Sequence, residues 1–76
     1  MKAEIKLVDG KLNIDLKVGD KILVERENRR KGYIFNGISP FKEYRLKNVK
    51  TGDNVTVGIN WFVIDKKSYL WEDDNE

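Results

Sequence analysis

Side-chain catalysis needs a nucleophile and a base to activate it, and this chain offers little of either. Its serines and threonines are Ser39, Thr51, Thr56 and Ser68, and it contains no histidine and no cysteine. Without imidazole or thiolate those hydroxyls lack their ordinary activating partner, and the commonest zinc ligands are missing too. Carboxylates stand side by side at Asp73 and Asp74, but in a terminal acidic run, where a fixed separation is not expected. A metal cluster drawn from Asp53, Asp65 and that run matches no calcium-loop spacing. The residues therefore predict a protein that is no enzyme, needs no cofactor or metal, and takes no small-molecule substrate.

Positive charge is the one chemistry in surplus, and it is unevenly spread. The 76 residues carry a net charge of only +2. Residues 1–20 balance four lysines against four acids, whereas residues 21–50 hold nine basic side chains against three acidic ones. Residues 51–76 reverse the sign, with two lysines and six acids. The basic block is densest at Arg26-Glu27-Asn28-Arg29-Arg30-Lys31, and Lys42, Arg45, Lys47 and Lys50 form a second cluster.

Such a block points to phosphate, because cations that neutralise a nucleic-acid backbone release its counterions and guanidinium forks fit phosphate oxygens. The expected nucleic-acid contacts are Arg26, Arg29, Arg30, Lys31, Lys42, Arg45 and Lys47, with Tyr33 as a stacking residue. A basic loop is also often simply solvated, and Glu25, Glu27 and Glu43 stand close enough in sequence to neutralise part of it. Two placements are open for Tyr33 and Phe35: an exposed platform beside the arginines, or the core, where aromatics bury the most area. The competing expectation is a protein-interaction module, such as a small phage or mobile-element accessory protein, binding a protein partner or a second copy of itself. Its anchors would be Phe41, Tyr69 and Trp71, since interface hot spots favour large aromatics. The acidic segment Glu72-Asp73-Asp74-Asn75-Glu76 reads either as a solubilising tail or as a competitor folding back on the basic block.

Short strands must position these residues. Ala3, Ile5 and Leu7, then Leu12, Ile14 and Leu16, alternate with polar residues around Asp9-Gly10, which predicts a hairpin over 3–16. Lys21–Arg26 reads as a strand, 27–32 as a loop closed by glycine, and Tyr33-Ile34-Phe35 as a short strand. Phe41–Asn48 and Val55–Ile59 alternate again. Asn60–Ile64 is open between a helical turn and a strand, and Tyr69-Leu70-Trp71 reads as a last edge strand. Strands recurring at this spacing predict an all-β sandwich or barrel.

From residue 18 onward the order resembles an SH3-like small β-barrel of the Tudor, KOW or bacterial SH3-like sort. The resemblance rests on Val18-Gly19-Asp20-Lys21-Ile22-Leu23-Val24, Gly32-Tyr33-Ile34-Phe35, Tyr44-Arg45-Leu46 and Val55-Thr56-Val57. It ends at Asn60-Trp61-Phe62-Val63-Ile64, where such barrels often place a short helical turn. It implies an all-β fold, a small SH3-like barrel of about five strands over 18–71, embellished by the additional N-terminal β-hairpin 3–16. The whole forms one domain, 1–71, followed by the acidic tail 72–76. No apolar run approaches the roughly 18 residues of a membrane span, and the charged N-terminus lacks a signal-peptide core, so a cytoplasmic, reducing setting is expected. Lys, Asn and Ile supply 25 of the 76 residues, a bias that fits an AT-rich bacterial or phage gene.

Overall fold

Inward-facing Ile22 and Val24 make Lys21–Arg26 a strand, and most of the sheet is laid beside it. The computed structural model describes residues 2–71, so the acidic segment 72–76, with both of its expected roles, lies outside the described residues. The elements are β1 (Lys2–Glu4), β2 (Leu7–Val8), β3 (Lys11–Leu12), β4 (Lys21–Arg26), β5 (Arg29–Ile38), β6 (Tyr44–Asn48), β7 (Asn54–Val57), a 3-10 turn η1 (Ile59–Phe62) and β8 (Lys67–Trp71). Six of the strands form one antiparallel sheet in the order β1-β8-β4-β5-β6-β7, and β2 with β3 makes a separate two-stranded hairpin. The protein is all-β, as its alternation predicted. The sheet is open rather than closed into a barrel, since β1 and β7 each pair with one neighbour.

The N-terminal hairpin is smaller than the alternation implied. Ile5 donates its N–H to the Ser68 carbonyl at 2.8 Å, so the chain before it belongs to the main sheet, with Ala3 opposite Leu70. Only Leu7–Val8 and Lys11–Leu12 pair across Asp9 and Gly10, whose φ values of 53° and 78° suit a primed two-residue turn. Beyond that the ladder gives way to the Asn13 side chain. Its Oδ1 accepts from the Lys6 N–H at 2.7 Å, and its Nδ2 donates to the Glu4 carbonyl at 3.1 Å. Ile14 and Leu16 keep their inward phase without a partner strand and pack half-buried on the core.

Two further expectations change, and one left open is decided. Residues 27–32 are not a loop: Arg26 pairs with Arg29 across a two-residue turn, and β5 starts at Arg29. β8 is not an edge strand but lies between β1 and β4. Asn60-Trp61-Phe62 resolves as a helical turn. β5 runs ten residues because a bulge between Phe35 and Ile38, containing Gly37 at φ 108°, lets one long strand bend.

One face of the sheet carries the core: Ile22, Val24, Tyr33, Phe35 and Leu46, capped by Ile5 and Phe62. Aromatic edges link η1 to the sheet. Trp61 meets Tyr33 at 5.6 Å and Phe62 meets Tyr44 at 5.2 Å, both T-shaped. Ser68, fully buried, donates its hydroxyl to the Phe62 carbonyl at 2.6 Å and so ties the end of η1 to β8. Ser68→Ala strips that carbonyl of its donor inside the core and is expected to cost about 1–3 kcal/mol. Chemical denaturation checks it, and an unchanged midpoint refutes the tie.

Candidate functional site

Period-2 geometry divides the basic block before any tertiary contact is considered. In the β4–β5 ladder Arg26 faces Arg29 and Val24 faces Lys31, on the same side as the Ile22–Tyr33 core pair. Glu25 faces Arg30 on the opposite side. There the Arg30 Nε lies 3.2 Å from Glu25 Oε2, with Lys2 Nζ at 3.7 Å from the same oxygen. Arg30 is thus drawn to a carboxylate on the outer face, away from the other two arginines. Among the described residues no ion pair engages Arg26, Arg29 or Lys31.

Those three exposed cations overhang a pocket of about 420 Å³ beside the end of the core. Val24, Tyr33, Trp61, Glu27 and Lys66 complete its lining. Lys66 was not among the residues singled out from the sequence. It sits in the acidic last third of the chain and meets the arginines because β8 pairs with β4, with Lys67 opposite Glu25, which leaves Lys66 next to Arg26. Its Nζ donates to the Trp61 carbonyl at 2.7 Å and the Ile64 carbonyl at 3.2 Å, and it lies 4.4 Å from the centroid of the Trp61 ring. Burial, then the nearby Arg26 charge, lowers its pKa below the ordinary 10.5, while Asp65 opposes the shift. Four cations around one pocket repel one another, and like charges directly across a ladder are themselves destabilising. An anion placed among them relieves that repulsion.

The remaining predicted contacts go elsewhere. Tyr33 is 7% exposed and Phe35 2%, so both belong to the core, and Tyr33 shows too little surface for a base to stack on it. The expected stacking role for Tyr33 is corrected on that ground. Arg45 and Lys47 lie on the outer face, opposite Thr56 and Asn54. Lys42 sits at φ 62° in the turn that Ser39 organises by accepting the Phe41 and Glu43 N–H groups. None of these three lines the pocket.

The candidate interaction anchors also separate. Phe41 is 83% exposed in the Ser39 turn, whereas Tyr69 is half-buried with the Lys2 ammonium 4.8 Å from its ring centroid. Trp71, 42% exposed, borders a second hollow of about 550 Å³ on the outer face with Leu23, Gly32 and Val49, rimmed by Lys21 and Arg30.

Two outcomes follow for the basic pocket. Arg29→Glu puts a carboxylate opposite Arg26, and thermal unfolding should show stability raised by about 0.2–1 kcal/mol while phosphate affinity falls; a loss of both would contradict like-charge strain. Above about pH 8, where a phosphate monoester is already a dianion, any affinity of the pocket for phosphate should fall as pH rises and begin falling below 10.5, because Lys66 sheds its proton before an ordinary lysine. Lys66→Arg, which keeps its charge, should flatten that profile in a calorimetric titration. Searches of protein-family models, of curated proteins and of solved structures found no match to this chain.

Proposed function

We propose that this protein is a non-catalytic nucleic-acid-binding module that holds backbone phosphate at the pocket between the β4–β5 turn and η1. The observation that supports it is the convergence of Arg26, Arg29, Lys31 and Lys66 on one hollow against two acidic residues among the described ones, Glu27 in its lining and Asp65 beside Lys66. Arginine forks reach phosphate oxygens in pairs, and cations already repelling one another gain most from a polyanion. The proposal keeps the SH3-like resemblance in an open form. Strands β4 to β8 succeed one another with a short helical turn between β7 and β8, the place where such folds often carry one.

Fluorescence anisotropy with single- and double-stranded DNA and RNA tests this reading. Three or four phosphate contacts give a single-strand affinity that drops about 20–50-fold between 50 and 200 mM salt. Arg29→Glu with Lys31→Glu should abolish binding, while Arg45→Glu with Lys47→Glu on the outer face should leave most of it. No binding at the lower salt overturns the proposal, and equal losses in both double variants would replace the pocket with diffuse charge attraction.

One observation favours protein binding as a second reading: the apolar hollow beside Trp71 on the opposite face. Its Lys21 and Arg30 rim disfavours a second copy of the same surface and suits an extended peptide pairing an aliphatic side chain with a carboxylate. In a Trp61→Phe background, Trp71 emission should shift on titration with leucine- and glutamate-rich peptides. An unchanged spectrum at millimolar peptide removes this reading.

A further inference from the structure

Resting on the nucleic-acid reading, we infer that the basic pocket seats the terminal phosphate of a strand, a phosphate monoester, in preference to an internal diester. Charge is the first reason. Arg26, Arg29, Lys31 and Lys66 line one space of about 420 Å³, with Glu27 as its acidic residue. With Asp65 beside Lys66 counted as well, two positive charges are left unbalanced around the pocket. An internal diester brings one negative charge, whereas a monoester carries about 1.5 to 2 at pH 7, on three strong acceptor oxygens. The monoester matches the surplus more closely.

Direction is the second reason. An ammonium has three donors, and Lys66 commits two of them to the carbonyls of Trp61 and Ile64, at 2.7 and 3.2 Å. One N–H is left for a ligand, on a cation held in place by two hydrogen bonds and the Trp61 ring. Arg26 stands next to Lys66 at the end of the β4–β8 pairing, where Glu25 lies opposite Lys67, and faces Arg29 on its other side, each arginine with a guanidinium fork. Donors therefore follow one another along the pocket: a fixed ammonium from the η1–β8 connection, the Arg26 fork beside it and the Arg29 fork beyond. Three unsubstituted oxygens can meet all three groups. A diester offers two, and its two ester oxygens lead chain away in both directions past walls that a terminal group does not have to clear.

The test compares short single-stranded oligonucleotides of one sequence, internally labelled, ending in a 5′-phosphate, a 3′-phosphate or hydroxyls alone. At about 0.15 M salt, where diffuse attraction is screened within about 8 Å, a terminal phosphate should raise affinity about tenfold or more over the hydroxyl form. Lys66→Gln should weaken the phosphate-terminated oligonucleotides by a larger factor than the hydroxyl form, which also loses one cation, and so shrink that difference to about twofold or less. Should Lys66→Gln unfold, Arg29→Gln at an exposed position gives the same comparison. Equal affinity for all three ends overturns this inference and leaves backbone binding intact. Binding of phosphorylated ends alone supports it and overturns backbone binding. Failure of every oligonucleotide to bind at low salt overturns both.

Discussion

The inward phase of β5 is the constraint on which the rest of the molecule depends. Tyr33 and Phe35 are the large aromatics of the central strands, and burying them commits every second residue of β5 to the core side. The same phase carries Lys31 and Arg29 past the end of the core and sends Arg30 through to the other face. A one-residue slip would expose both aromatics and exchange the two sets of cations. The tight turn at Glu27–Asn28 prevents it, because a two-residue connection leaves the register no slack, even with Glu27 held at φ 54°.

Hydrophobic burial and charge are thereby coupled. The aromatic edges that dock η1 on the sheet, Trp61 on Tyr33 and Phe62 on Tyr44, lead the chain into β8, whose pairing with β4 sets Lys66 beside Arg26. The Ser68 hydroxyl on the Phe62 carbonyl holds that connection at its far end. Lys66 is half-buried beside Arg26, an unfavourable setting that the Trp61 ring and two carbonyls offset locally. Strain of this kind costs a small open sheet stability it has little reserve of, and a bound anion is what would return it.

Much of the fold was legible because strands write their faces into the sequence at period two. Lys21–Arg26, the Asp9-Gly10 turn and the alternation along β6 and β7 are all where residue types put them. What local pattern could not supply was partnership. Ala3 and Leu16 have the same inward phase as their neighbours, yet one pairs with β8 and the other with no strand, a difference made by Ile5 bonding Ser68 and by the Asn13 side chain. The bulge at Gly37 and the inner position of β8 likewise depend on contacts made far along the chain.

The candidate site divides along the same line. Sequence by itself determined the all-β class, the absence of the usual catalytic groups and the concentration of positive charge between residues 21 and 50, because these are matters of composition and nearest-neighbour alternation. Tertiary structure alone decided which cations meet. It separated Arg30, Lys42, Arg45 and Lys47 from Arg26, Arg29 and Lys31, withdrew Tyr33 into the core, and added Lys66 from a stretch of opposite sign. The physical reason is that charge is counted along the chain but acts through space, and which side chains share a space is settled by the burial of the apolar residues between them.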